Sequence, residues 1–302
     1  MLLTWNCEYN NKRFSNDRSL ESPLPPGGDL GGLIFSFFLS SIFISCSTKP
    51  VERTKYFPKQ TELASAAINK QNIWVFILAG QSNMAGRGIV EPQDTAVNKR
   101  ILSINKKGDL IIAKEPLHWY EPERTGLDCG YSFGKTMIKN IPDSISVLLI
   151  PAAVGGSSIS QWLGDSLYRN VKLFSNFLAK VEMAKQYGTI KGILWHQGES
   201  DANEKDIPYY KERLQKLFTK FRSAVGNNNL PVLMGELGSF SKDKEHFSLI
   251  NKEINDYSLQ DKYTAIISTR DLKDKGDSLH FNSKGQRAMG RRFAEVYLKK
   301  FN

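Results

Sequence analysis

From residue 73 onward, short apolar runs alternate with amphipathic stretches. The runs at 73–79, 144–150, 190–196, 231–236 and 264–269 are β-branched or aliphatic and almost continuous in apolarity. That pattern predicts strands buried on both faces. Between them, residues 131–139, 171–187, 208–223, 247–257 and 284–301 read as helices. In the third of these, Tyr210, Leu214, Leu217, Phe218 and Phe221 fall on one helical face and belong to a core. Alternation of strand and helix predicts an α/β domain with a mostly parallel sheet covered by helices on both sides. Residues 101–112, interrupted by Lys106-Lys107-Gly108-Asp109, predict a hairpin inserted near the first crossover.

The pattern before residue 73 is different. Residues 30–45 form a nearly uncharged apolar stretch, too short for a comfortable membrane-spanning helix and about as long as the core of an export signal. It runs into Ile42-Phe43-Ile44-Ser45-Cys46, which resembles the end of a bacterial lipoprotein signal, with Phe43 where Leu is usual. The resemblance implies export to the periplasm or outer membrane, with Cys46 lipidated as a membrane anchor. Residues 1–29, rich in Pro and Gly near their end and slightly acidic, read as an unstructured extension. Three regions follow: 1–46 as extension and signal-like segment, 47–72 as a polar linker, and 73–302 as one domain of a size that builds a single sizeable core.

Composition changes this picture little. The formal charge of +10 comes from lysines and arginines interleaved with acids, as in Lys242-Asp243-Lys244-Glu245. That is a solvated surface, and no basic arm with interleaved aromatics points to nucleic acid. The three cysteines, Cys7, Cys46 and Cys129, form no paired motif, which argues against a disulfide framework or a cysteine-based zinc site.

In an open α/β sheet, ligands sit at the carboxyl ends of the strands. Four polar segments fall there: Gly80-Gln81-Ser82-Asn83 after the first strand, Gly155-Gly156-Ser157-Ser158 after the second, Gln197-Gly198-Glu199-Ser200-Asp201 after the third, and Asp277-Ser278-Leu279-His280 ahead of the last helix. A serine on a strand-to-helix turn is a candidate nucleophile. A His with an Asp three residues before it supplies a base and its orienter. Ser82, His280 and Asp277 are the candidates. Ser82 read instead as a helix cap, and the last segment as a turn capped by Asn282 or Ser283, are the structural alternatives. His246 stands in a charged helix start and reads as solvated. His196 reads as a core or supporting residue. Backbone N–H groups at Gly155 and Gly156 can approach an oxyanion. The amide of Gln197 can donate to one, whereas an ionised Glu199 cannot, which leaves Glu199 as a loop organiser or a second partner for His280. Cys129 reads as a small structural residue. His118, His196, Glu199 and Asp201 lack a familiar metal-binding spacing.

These four blocks, read as Phe76 to Gly86, Gly155 to Ile159, Trp195 to Asp201 and Asp277 to Phe281, resemble the sialate O-acetylesterase / acetylxylan esterase family of the SGNH hydrolase superfamily. The stretch 115–118 with 126–133 is similar as well. The resemblance covers residues 73 to the C-terminus. It implies a three-layer α/β/α sandwich with a flavodoxin-like sheet, and hydrolysis of O-acetyl esters on carbohydrates without metal or cofactor. By position it makes Ser82 the nucleophile, His280 the base and Asp277 the third member, with Ser82 and Gly156 N–H groups and Gln197 around the oxyanion. Asn83 and Glu199 are candidate supporting residues beside them. The chain has Gln197-Gly198-Glu199 where the wider superfamily carries an Asn.

Two other functions compete. A general lipase or thioesterase of the same superfamily would prefer long acyl chains. A glycan-binding lipoprotein on a hydrolase scaffold would have no need of Ser82, Asp277 and His280 together. Trp119 and Trp162 are candidates for stacking on sugar rings or for the edge of the core.

Overall fold

The run at residue 73 is apolar on both faces because its alternate residues serve two different layers. In the computed structural model, which describes residues 52–65 and 68–302, strand β1 (Ile73–Gly80) sends Val75, Ile77 and Ala79 into one apolar cluster and Phe76 and Leu78 into the other. This is the period of two of an extended chain. Each fully buried side chain of this kind contributes about 1.5–3 kcal/mol.

After β1 comes a single turn of helix, α1 (Ser82–Ala85), then the hairpin of β2 (Ile101–Ile104) and β3 (Leu110–Ile112). Helix α2 (Gly130–Met137) leads to β4 (Ser146–Pro151) and the short helix α3 (Ile159–Leu163). A two-stranded ribbon, β5 (Leu167–Tyr168) and β6 (Val171–Lys172), precedes α4 (Leu173–Tyr187). The chain ends β7 (Thr189–His196), α5 (Ile207–Val225), β8 (Val232–Gly235), α6 (Lys244–Gln260), β9 (Thr264–Ile267) and α7 (Ser283–Lys300).

The seven-stranded sheet has the order β3-β2-β4-β1-β7-β8-β9. All neighbours are parallel except β2 with β3. Without the hairpin, β4-β1-β7-β8-β9 is the flavodoxin-like order, whose reversal point lies between β1 and β7. Helices α2 and α7 pack on one face through Phe133, Met137, Met289 and Phe293. Helices α3 to α6 cover the other through Trp162, Phe177, Phe218 and Ile250. The expected three-layer α/β/α sandwich is the observed one.

Three expectations change. The hairpin is part of the sheet, since β2 pairs with β4. The helix expected over 171–187 begins at Leu173, because Val171 and Lys172 pair with Tyr168 and Leu167 instead. Finally, the described part of the expected polar linker is attached to the domain. Glu62 accepts the Ile112 N–H at 2.9 Å, and Ala64 donates to Leu110 at 3.0 Å. These bonds cover the free edge of β3, which would otherwise present unpaired backbone groups. The described residues accordingly fall in one compact unit. The apolar stretch at 30–45 and Cys46 lie outside the described residues. Among the described residues no helix is long and apolar enough to cross a membrane.

Candidate active site

Strand β1 ends against β7 with no room for a side chain. Gly80 has a φ of +134°, and a Cβ there would lie 2.1 Å from the His196 carbonyl oxygen. The next N–H, of Gln81, donates to that oxygen at 2.9 Å. This turn delivers Ser82 as the first residue of α1. Gln81, not Ser82, occupies the cap position, so the Ser82 hydroxyl is not engaged as a helix cap.

The Ser82 hydroxyl instead lies 3.0 Å from His280 Nε2, and His280 Nδ1 lies 2.7 Å from Asp277 Oδ2. Asp277 Oδ1 accepts the backbone N–H groups of Leu279 and His280 at 3.0 and 2.8 Å. The three side chains expected from sequence are thus one hydrogen-bonded row. Asn282 caps α7 by accepting the Gly285 N–H at 2.8 Å, which sets His280 just ahead of a rigid helix. Ser283, the other candidate cap, bonds the backbone of Ile89.

The row borders a cleft of about 450 Å³. Gln81, Gly155, Gly156, Glu199 and Ser200 line it, as do Arg87, Glu121, Arg124 and Arg169. Gly156 has a φ of +81°, a left-handed conformation that favours glycine. Its N–H and that of Ser82 have no protein partner among the described residues, and both residues border the cleft. A hydroxyl beside an imidazole, in a cleft bordered by two residues with available N–H donors, is an arrangement suited to acyl transfer.

Residues 72–299 match a carbohydrate esterase family described as sialic acid-specific acetylesterase. The chain belongs to this family. Among its relatives, a probable carbohydrate esterase of Arabidopsis thaliana is 28% identical over 250 residues, covering 75% of this chain and 91% of that protein. The X-ray structure of an Arabidopsis thaliana protein superposes with a TM-score of 0.68 at 26% identity, over 77% of this chain and all of the other. The crystal structure of NanS shares the fold, with a TM-score of 0.63 at 18% identity over 77% of this chain and 98% of the other. The protein is an esterase of carbohydrate esters.

Asn83 holds the segments that carry Ser82 and His280 together. Its amide donates to Glu199 Oε1 at 2.6 Å and to the Leu279 carbonyl at 3.1 Å, and accepts from the Phe281 N–H at 3.0 Å. Glu199 is therefore tied to Asn83, and its bonds do not include one to His280. Its Oε2 is buried without a partner in the protein. His196 supports from behind, with Nε2 3.0 Å from the Glu236 carbonyl and Nδ1 3.6 Å from Glu199.

The structure places the Gln197 amide away from the cleft. Its Nε2 donates to Gln81 Oε1 at 3.0 Å, Ser157 O at 3.2 Å and Asp201 Oδ2 at 2.5 Å, while Oε1 accepts from the Tyr210 hydroxyl at 3.0 Å. With both ends of the amide committed to buried partners, Gln197 braces the loop rather than facing the substrate space. Trp162 is also displaced from the role of a sugar platform. It is fully buried, packed edge-on against Trp195 and Phe221. Trp119 is half-buried against Tyr120 and lines a separate cavity. Cys129 is buried, as expected of a structural residue.

The Asp-x-x-His spacing does not by itself pick out the base. Asp243 and His246 repeat it, at 2.8 Å, on the exposed start of α6. What distinguishes His280 is its place at the carboxyl ends of the strands. His118 pairs with Asp128 at 2.9 Å, and no group of three His, Cys, Asp or Glu among the described residues is arranged to hold a metal.

Electrostatics divide the row. Burial holds the His280 imidazole below its ordinary value, against the opposing pull of Asp277, and the charges of Lys275 and Arg87 lower it further. Burial works to raise Asp277, but the N–H and ring of His280 and the N–H of Leu279 bring it down to about 2. At neutral pH the pair is a carboxylate beside a neutral imidazole that is free to accept a proton. Burial raises Asp201 to about 6 despite bonds from the Ile159 N–H and Gln197.

Sequence reasoning missed Arg87, Glu121 and Arg169. They form a linked set: Arg87 Nη2 is 2.7 Å from Glu121 Oε2, and Arg169 Nε is 3.5 Å from Glu121 Oε1. Glu121 Oε2 also accepts the Gly155 N–H at 2.7 Å. Only the charged string Tyr120-Glu121-Pro122-Glu123-Arg124 marked this loop, and charged strings are usually solvated.

Proposed function

We propose that the protein removes O-acetyl groups from carbohydrates through an acetyl-enzyme on Ser82. The observation that carries this reading is the 3.0 Å contact between Ser82 Oγ and His280 Nε2 at the mouth of the cleft. Ser82 attacks the acetyl carbonyl while His280 accepts its proton. Asp277 holds the imidazole in the tautomer that does so and stabilises the imidazolium. The N–H groups of Ser82 and Gly156 carry the oxyanion. The sugar alcohol leaves with the proton from His280, and a water activated by the same imidazole then releases acetate. Gln197 and Asn83 act through the loops that they hold.

The acyl group is small and the alcohol is a sialic acid or xylan type of sugar. The acidic sugar is the better supported of the two. Arg53, Arg87, Arg124, Arg169 and Lys275 line the cleft against Glu121, Glu123, Glu199 and Asp277, so cations exceed acids by five to four. Acetate release from an O-acetylated sialoglycoprotein and from acetylated xylan, measured side by side, tests both levels of the reading. Release that requires Ser82 supports it. Release from neither, with an aryl acetate also untouched, sinks it.

The apolar segment at 30–45 followed by Cys46 supports export and lipid anchoring in a bacterium. Incorporation of a labelled fatty acid that is abolished by Cys46→Ala tests this. A soluble, unlabelled product in the same host contradicts it.

A further inference from the structure

The backbone of Gly155 and Gly156 offers four polar groups, and three of them are clamped. Glu121 accepts the Gly155 N–H at 2.7 Å. Arg169 Nε donates to the Gly155 carbonyl at 2.8 Å. The Ser200 hydroxyl donates to the Gly156 carbonyl at 3.1 Å. The fourth, the Gly156 N–H, has no protein partner among the described residues.

The Gly155 carbonyl and the Gly156 N–H belong to one planar peptide unit. In a trans peptide they point in opposite directions, so whatever holds the carbonyl aims the N–H. A peptide between two glycines has little steric preference of its own and is free to rotate as a unit. Arg169 supplies the missing constraint. A charged donor on the carbonyl makes a stronger bond than a neutral one and polarises the N–H at the other end of the same peptide.

Arg169 is itself held with care. It occupies a two-residue turn between β5 and β6, with φ of +47° at Arg169 and +61° at Asn170. Positive φ at both central positions is the hairpin turn that Gly, Asn and Asp favour, and an arginine there is under backbone strain. The base of the hairpin is fixed to α4, where Asp165 accepts the Ser175 N–H at 2.7 Å. The guanidinium lies over the Tyr168 ring at 5.5 Å and beside Glu121.

We infer that Arg169, through its bond to the Gly155 carbonyl, is a positioning residue that aims the Gly156 N–H at the oxyanion. The inference rests on the acyl-enzyme reading above. Its consequence is that a residue on a separate hairpin governs the chemical step without touching the reacting atoms.

The test compares wild type, Arg169→Met, Arg169→Lys and Ser82→Ala on an aryl acetate, which carries no sugar to bind. Loss of a whole oxyanion donor costs about 10²–10³ in turnover. A misaimed donor retains part of that, so Arg169→Met is expected to lower kcat by about tenfold to a hundredfold with KM within about twofold. Arg169→Lys, which keeps a charged donor on a side chain of similar length, is expected to recover part of the loss. Affinity for an arylboronic acid, whose tetrahedral adduct on Ser82 mimics the oxyanion, is expected to fall with kcat. A wild-type kcat in Arg169→Met overturns the inference, and so does a loss confined to KM or to glycan substrates. If Ser82→Ala is inactive in that case, the acyl-enzyme reading survives alone. If Ser82→Ala hydrolyses the aryl acetate at the wild-type rate, the reading fails and the inference with it.

Discussion

Asn83 accepts the backbone N–H of Phe281 at 3.0 Å, which ties the residue after the proposed nucleophile to the residue after the proposed base, 198 positions apart in the chain. The same amide donates to Leu279 and Glu199. One side chain thus sets the separation of Ser82 from His280. Asn83→Ala is expected to reduce kcat on an aryl acetate by about tenfold or more, since misplacement by about an ångström can cost a hundredfold. It is also expected to destabilise the fold by about 1–3 kcal/mol, because buried partners lose their bonds. Kinetics and chemical denaturation check the two effects, and an unchanged kcat contradicts the role.

The pH dependence follows from His280. It must be neutral to accept the Ser82 proton, and burial keeps it below its ordinary value. Activity therefore rises with pH through a midpoint below 6.5 and is level above it. Arg87 adds its positive charge to this lowering. Arg87→Met is accordingly expected to move the midpoint of kcat/KM upward. A wild-type limb above 6.5, or a downward move in the variant, contradicts the sign.

Gln197 separates two roles. If it braces Gln81, Ser157 and Asp201, Gln197→Ala lowers stability by about 2 kcal/mol through orphaned buried groups. In a domain of this size that is a melting temperature lower by about 4–8 °C. Arylboronic acid affinity in the folded variant then falls less than in Arg169→Met. A loss of affinity larger than in Arg169→Met, with the melting temperature unchanged, would return Gln197 to the oxyanion.

The N-terminal segment reaches the site. Arg53 donates to the Thr125 carbonyl, and to Pro122 at 3.0 Å, and it borders the cleft. These carbonyls belong to the loop that carries Glu121 and Arg124. A fragment beginning at Ile68 is expected to aggregate more readily than one beginning at Lys49, because the β3 edge is uncovered. It is also expected to show a higher KM on glycan substrates. Light scattering and steady-state kinetics on the two fragments decide this.

Much of this was legible in the chain because buried parallel strands are written as continuous apolar runs. β1 and β7 were read within a residue of their observed ends, and the polar segments that follow them at once became site candidates. Ser82 became a candidate in this way, and Asp277 and His280 did so through their spacing ahead of the last helix; the structure brings the three into one hydrogen-bonded row. The ribbon of β5 and β6 was not, since two-residue strands carry no periodicity and Asn170 is a weak turn signal. Arg169 and Glu121 were invisible because their roles arise from bonds to backbone atoms of a distant loop, which leave no trace in local pattern. Gln197 was misread because residue type gives donor capacity but not direction. Trp162 carried two readings, a sugar platform or a core edge, and the structure selects the core, since a tryptophan next to a loop motif is equally at home there.

The most direct test of the account is the rate of aryl acetate hydrolysis by purified Ser82→Ala beside wild type, with acid-quenched wild type mapped for acetylated peptides. The account predicts a fall of at least about 10³ in the variant and an acetyl group on Ser82 during turnover in the wild type. Wild-type rates in Ser82→Ala, or acetyl found on a different residue, would contradict it.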